Sequence, residues 1–417
     1  MAGREYRYKT IPTSELQVGM YVEDVGRTWL QHPWLKKSRL LTSRREIQRL
    51  LDYGIKEVVV NLSLGVLPKS RPAADETEEK PPPQKIEEVE RRTGVREVVA
   101  TEPVPLEVEL PRVRDAFQVT TNSVRYIVDS LQTEKSLKLK VAEHVVEEVI
   151  ASVLRNQDAF LTLAKVRQYE KYDIQHPLLV TVLSVSFGRY LGMDKEQLRE
   201  LGLGAMLQDV GKVLIPLEII NKPGRLDDRE REVVKKHSLL GARLLKDSAH
   251  LPPRALALAL YHHERLDGSG YPKGLQGEQL GPNVIICGLA DVFDALTTDR
   301  VYKKGCLPYH ALGELFQMRG RLFPETWVDR FIHCLGIYPT GTVAELNTGE
   351  TAVVLGVNHA QLLRPRIKLI TDSQGRPLMR QRSIDLNTET HAHRSIRKVL
   401  DPKKVGVDPA LYIEPQV

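Results

Sequence analysis

Hydrophobic positions follow several different rhythms along the chain. Over residues 1–65, Gly19-Met20-Tyr21-Val22 opens a strand-like stretch, Ser43–Tyr53 carries Ile47, Leu50 and Leu51 at helical spacing, Gly54 offers a stop, and Glu57–Leu62 is rich in valine. This predicts a small α+β module. From Leu67 to about Lys85 the apolar positions fall away around Pro81-Pro82-Pro83, so a Pro-rich, charged linker is expected over 66–110. Within 111–165, Val141, Val145, Val149 and Val153 recur every four residues, as on one buried helical face, and predict connecting helices. Residues 166–338 alternate helical segments with short loops. After Pro339 the pattern changes to short β-branched runs, Thr342–Leu346, Thr351–Val357 and Arg366–Thr371, with turn signals at Asn347-Thr348-Gly349 and Asp372–Gly375. The expected architecture is multidomain: the α+β module, an all-α domain over 166–338, and a β-rich extension over 339–417.

Composition narrows the function classes. A chain of 417 residues with 41% hydrophobic and 27% charged positions is too long for a disulfide-stapled module and too apolar for a disordered one. A formal charge of +6 without a basic block gives nucleic-acid binding no support. Cys287, Cys306 and Cys334 are odd in number and form no CxxC pair, which points to neither a disulfide framework nor a thiolate zinc site and fits a reducing cytoplasm. Apolar stretches such as Leu178–Val182, continuing to Phe187, are shorter than the roughly 20 residues of a membrane span. The opening MAGREYRYKTI lacks the apolar segment of a secretory signal, so no membrane anchor is expected.

The chemistry concentrates in the helical region, where His176, Asp209, His237, His262, His263 and Asp291 are candidate metal ligands. Imidazole with carboxylate suits first-row transition metals, whereas calcium and magnesium favour all-oxygen shells. Each residue also has a plain structural reading. Pro177 places His176 near a helix start, where a histidine alone is ordinarily structural. Asp209 borders the apolar stripe of Leu203, Met206, Leu207 and Val210, and either pairs with Lys212 or Arg199 or holds a metal, because a buried lone charge is costly. His237 follows two lysines and, in isolation, reads as a solvated helix residue. His262 and His263 diverge by about 100° on a helix and reach one site only at its end, where Asp267-Gly268-Ser269-Gly270-Tyr271-Pro272 forces a tight loop. Asp291 and Asp294 interrupt the apolar surface of Ile286, Leu289, Ala290 and Phe293. They either pair with Arg300, Lys303 or Lys304, or Asp291 is a ligand and the bases hold anionic oxygens.

From His176 to Tyr302 these motifs resemble the HD-GYP family of metal-dependent phosphohydrolases: His176, Asp209 with Gly211-Lys212, His237, His262-His263-Glu264 with Asp267-Gly268 and Gly270-Tyr271-Pro272, then Asp291 with Ala295-Leu296-Thr297 and Asp299-Arg300. Residues 11–62 resemble a module of uncharacterised role that often precedes this domain, through Gly19–Val22, Trp29, His32-Pro33 and Ile55–Val58. The resemblance implies an HD-type helical catalytic domain hydrolysing cyclic di-GMP to pGpG, and in some members onward to GMP, in bacterial signalling. It implies two divalent transition-metal ions, iron or manganese, with His176, Asp209 and Asp291 serving one and Asp209, His237, His262 and His263 the other. Lys212 would neutralise a phosphate oxygen, Arg300 or Lys303 would support a second, and Gly270-Tyr271-Pro272 would shape the substrate loop. GGDEF-type or other signalling proteins and a second copy of the chain are the implied protein partners.

Two positions depart from the family pattern. Gln208 stands where the family has a histidine, and a neutral amide is a weak ligand, so an impaired module that binds cyclic di-GMP or a partner protein is the alternative reading. Tyr172 stands where members with three metals carry a glutamate, which argues against a third ion, although Asp173 offers a carboxylate nearby.

Overall fold

The computed structural model describes residues 8–24, 39–41, 43–52, 55–61, 104, 106–134, 137–166, 172–222, 224–248, 251–299 and 304–413. The chain divides into two units, Met1–Val89 and Glu90–Val417.

In the first unit, β1 (Tyr8–Pro12), β2 (Tyr21–Asp24), β3 (Arg39–Leu40) and β4 (Glu57–Asn61) form an antiparallel sheet of order β1-β4-β2-β3, with helix α1 (Arg44–Asp52) between β3 and β4 in sequence. The alternation of Val58 and Val60 on β4 with exposed Glu57 places their side chains in one core with Ile11, Met20, Val22, Leu41, Leu50 and Ile55. Leu50 is buried on α1, whereas Leu51, also expected on the apolar face, points outward. Gly54, Trp29, His32 and Pro33 lie outside the described residues.

The first described helix of the second unit is α2 (Leu106–Glu134), which begins inside the range expected for the linker. The reason is a buried stripe, Leu106, Leu110, Val113 and Phe117, that continues through Pro111 at the cost of one backbone bond. α3 (Leu139–Arg155) and α4 (Gln157–Val166) pack on α2, and Val145, Val149 and Val153 form the buried side of α3. At the centre runs α5 (Tyr172–Tyr190), apolar on nearly every face and accordingly surrounded by α2, α3, α4, α6, α11 and α13. Around it lie α6 (Lys195–Leu207), a 3-10 turn (Val210–Leu214), α7 (Leu217–Ile220), α8 (Asp228–Lys235), α9 (His237–Ser248), α10 (Pro253–Tyr261), α11 (Pro282–Thr297), α12 (Pro308–Met318) and α13 (Glu325–Leu335). Phe187 of α5 meets Phe331 of α13 edge-on at 5.1 Å between ring centres, and Phe331 meets Phe293 of α11 at 5.9 Å. Such contacts contribute about 0.5–1.5 kcal/mol each beyond their buried area.

The C-terminal part is a five-stranded antiparallel sheet of order β8-β7-β6-β5-β9, made of β5 (Val343–Leu346), β6 (Thr351–Gly356), β7 (Arg366–Thr371), β8 (Pro377–Asp385) and β9 (Ile396–Leu400), followed by short helices α14 (Pro402–Val405) and α15 (Ala410–Ile413). The expected turn at Asn347–Gly349 joins β5 to β6, and that at Asp372–Gly375 joins β7 to β8. Strands β8 and β9 carry no buried alternation, which is why the hydrophobic pattern does not announce them. Among the described residues no helix is long and apolar enough to cross a membrane.

Candidate metal centre

The centre is assembled where α6 stops. Helix α6 starts on a reciprocal cap between Asp194 and Gln197, with backbone-to-side-chain bonds of 2.9 Å in both directions. It ends at Gln208, and Asp209 takes φ −98°, ψ 5°, the sparsely populated region between helix and strand where site residues often sit. The following 3-10 turn then passes α9 in backbone contact. A Cβ on Gly211 would stand 2.0 Å from the His237 carbonyl oxygen and 2.5 Å from the Gly241 nitrogen, so only glycine permits the approach that brings Asp209 to His237.

Around Asp209 the imidazoles converge. One oxygen, Oδ1, lies 3.3 Å from His237 Nε2 and 3.7 Å from His262 Nε2, while Oδ2 lies 3.2 Å from His176 Nε2. Asp209, His237, His262 and His263 each offer a ligand atom within 4.8 Å of the others. His176 Nε2 is also 3.5 Å from Asp291 Oδ1, and His263 Nδ1 is 3.8 Å from Asp291 Oδ2, so all six candidate ligands share one cluster. His262 is the residue that ends α10, the position that lets it and His263 face the same side, with ring centres 4.0 Å apart. His237, read in isolation as solvated, is 1% exposed: two lysines precede it, but its own ring turns inward at the start of α9.

The far nitrogens show why the rings point as they do. Nδ1 of His237 donates to the Val234 carbonyl at 2.6 Å, Nδ1 of His262 to the Leu258 carbonyl at 2.9 Å, and Nδ1 of His176 meets Asp294 Oδ2 at 2.6 Å. Each bond fixes the ring and aims Nε2 at Asp209, the arrangement by which metal-binding histidines are held. Asp294, 118 residues from His176, is thus a positioning residue for which the sequence offered only a pairing with Arg300, Lys303 or Lys304.

Whether these residues fit a cation is decided by Asp209 Oδ1, a buried oxygen without a hydrogen-bond partner among the described residues. With their Nδ1 hydrogens directed at carbonyls, His237 and His262 turn Nε2, the nitrogen left to ligate a metal, toward that oxygen. Lone pairs gathered on a buried carboxylate are mutually repulsive, and a divalent cation between them removes the repulsion; oxygen and nitrogen donors together suit a first-row transition metal. The electrostatics agree. Burial pushes His237 down to about 4, against the pull of Asp209, and drives His263 well below the ordinary histidine value with the help of His262 and His237. Burial would raise Asp209, yet Lys212 and His176 hold it well below the usual carboxylate range. For His176, burial alone would lower the value, but Asp209 and Asp294 lift it to about 9.

Lys212 Nζ sits 2.5 Å from Asp209 Oδ2 and remains partly exposed, whereas Arg199, the other partner considered for Asp209, pairs with Glu143 and Glu147 instead. Arg300 and Lys303 lie outside the described residues, as do the side chains of Tyr172 and Asp173.

The loop after the tandem histidines folds back over them. A Cβ on Gly270 would stand 2.4 Å from the Glu264 Cα, so this glycine lies flat on the chain it follows. The Tyr271 amide donates to the His263 carbonyl at 3.3 Å, the Tyr271–Pro272 bond is cis, and the Tyr271 ring covers the His263 imidazole at 4.7 Å. Glu264, 2% exposed, accepts the backbone N–H groups of Lys273 and Leu275 at 2.7 and 2.8 Å and anchors the loop. Its adjacency to the two histidines was visible in the sequence; its role was not, because its partners are backbone.

What fold and centre define together is a helical HD domain. Residues 148–326 match the HD domain family, 8–142 a domain of unknown function (DUF3391), and 343–407 the KOW domain associated with HD domain. The chain is 32% identical over 394 residues to cyclic di-GMP phosphodiesterase PA4108 of Pseudomonas aeruginosa, spanning 93% of this chain and 91% of that protein. It is 43% identical over 143 residues to the cyclic di-GMP phosphodiesterase response regulator RpfG of Xanthomonas campestris pv. campestris, spanning 34% and 38%. A cyclic di-GMP phosphodiesterase of Thermotoga maritima is 32% identical over 204 residues, 49% and 55% of the two chains. The chain belongs to the HD-GYP family.

Proposed function

We propose that this protein is a metal-dependent phosphodiesterase that hydrolyses cyclic di-GMP to pGpG in bacterial second-messenger signalling in the cytoplasm, with two iron or manganese ions. The observation that carries the reading is the Asp209 carboxylate, whose two oxygens face different imidazoles, as a group shared between two cations would. In this reading His176, Asp209 and Asp291 hold one ion and Asp209, His237, His262 and His263 the other. Such ions, when bound, would supply the chemistry of activating a water as nucleophile and offsetting charge on the phosphodiester oxygens.

The chain's own groups then have defined tasks. Lys212, partly exposed beside Asp209, neutralises a non-bridging phosphate oxygen, and Arg300 or Lys303 supports the second phosphate. The Gly270-Tyr271-Pro272 loop covers His263 and shapes the substrate's approach. Burial pushes the Tyr271 phenol up, assisted by Asp209 and Asp291, so it stays protonated and serves as a donor rather than a base.

A second reading is favoured by Gln208: a module that binds cyclic di-GMP, or a partner such as a GGDEF-type protein or a second copy, without turnover. Protein prepared without oxygen and supplied with Fe(II) or Mn(II) is expected to release pGpG from cyclic di-GMP, measured by chromatography, and His263→Ala to abolish it. Binding without product above the His263→Ala background decides for the second reading.

A further inference from the structure

Gln208 is 1% exposed, and its two amide atoms have different neighbours. Oε1 lies 2.7 Å from Cys287 Sγ, and Nε2 lies 3.5 Å from His176 Nε2. A buried amide has both donors and acceptors to place. A thiol hydrogen selects the oxygen as its partner, and Cys287 Sγ donates to Oε1. The NH2 end is therefore directed at His176. That end has no lone pair free for a cation, and its hydrogens carry partial positive charge. Cys287 is fixed in turn by its helix: Cys287, Asp291 and Asp294 follow at four and three residues on one face of α11, so the thiol, a candidate ligand and the residue that orients His176 sit on one rigid element.

We infer that Cys287 holds the Gln208 amide with its NH2 rather than its oxygen toward the His176–Asp291 half of the centre, so that this half binds its cation more weakly than the half built by His237, His262 and His263. Gln208 and Cys287 are thus positioning residues that make the two ions unequal. The inference rests on the metal centre proposed above and concerns this chain's departure from its family's motif.

The test is a binding isotherm of the full chain with Mn(II) alone, without oxygen, following free Mn(II) by electron paramagnetic resonance and bound Mn per chain by elemental analysis. Two steps separated by at least about tenfold in Kd are expected, the scale on which groups around a ligand alter affinity. Gln208→His is expected to tighten the weaker step by about 10–100-fold and leave the stronger unmoved. Cys287→Ala releases the amide to turn its oxygen inward and tightens the weaker step by a smaller factor, while Cys287→Ser keeps a hydroxyl donor and leaves it near the native value. Gln208→Glu carries oxygen at both ends and tightens the weaker step whatever residue 287 is, which covers the case of a Cys287→Ala variant that does not fold. Two equal steps in the native chain, or a weaker step indifferent to Gln208→His and Gln208→Glu, overturns the inference. A weaker step unmoved by Cys287→Ala in folded protein overturns the part assigned to the thiol. Absence of both steps in every variant instead sinks the metal-centre reading itself.

Discussion

The helical bundle and the C-terminal sheet both bury polar groups, and they treat them in opposite ways. In the sheet, Glu350 is covered but fully answered, by the Thr348 hydroxyl and by Arg394 at 3.0 and 3.2 Å, and the Thr342 hydroxyl donates to the Pro339 carbonyl at 2.6 Å. In the bundle, Asp209 Oδ1 is covered with no hydrogen-bond partner among the described residues and faces imidazole nitrogens whose own hydrogens point elsewhere. A satisfied buried acceptor contributes to folding, whereas an unsatisfied one costs about 1–3 kcal/mol. The sheet is built to be stable, and the centre of the bundle is built to bind.

The sharpest way to break that contrast is Asp209→Asn. It should reduce phosphodiesterase activity by more than about a hundredfold, because altering even a residue that merely holds a ligand in place costs about 10–100-fold. The chelator-stripped variant should unfold at the same temperature as the native chain or higher, since an amide can donate to the facing nitrogens; a lower midpoint by calorimetry would show that Asp209 is part of the scaffold. Ile367→Ala, in the buried face of β7, should do the reverse: a loss of about 2–5 kcal/mol by denaturant titration, with Mn(II) stoichiometry intact. Asp294→Asn is expected to weaken cation binding by about 10–100-fold without unfolding the bundle, and unchanged affinity would remove Asp294 from the centre's support. The smallest effect is a pH dependence. Burial raises Glu350, but Thr348, its own backbone and Arg394 override this and hold it below its ordinary value. A lowered carboxylate contributes stability that is fully present above the unfolded value of 4.5 and is lost as pH falls through the folded one. Glu350→Gln should flatten that acid-side loss in a series of thermal melts.

The same contrast governs what could be read before any coordinates. The tandem histidines, Asp209 and the Gly270–Pro272 loop announced themselves because their residue types and spacing are compressed into short segments. Strands β5, β6 and β7 were legible because each buries a clear apolar run; β8, with Arg380, Gln381, Arg382 and Ser383 exposed at the sheet's edge, was not. His237 was misread in isolation because neighbours in sequence report on a helix surface and not on what a distant turn presses against it. Asp294 and Cys287 were out of reach for a related reason: their partners, His176 and Gln208, lie 118 and 79 residues away.

The meeting of Gly211 with Gly241 carries a final consequence. Neither residue owns a functional group, yet together they set the gauge between the turn that bears the central carboxylate and the helix that begins with an imidazole. A single methyl at Gly211 would act as a wedge against the His237 backbone, spreading the two supports and drawing Asp209 away from that imidazole. Tolerance to change is therefore narrow at a spot where an inventory of reactive side chains would find nothing at all.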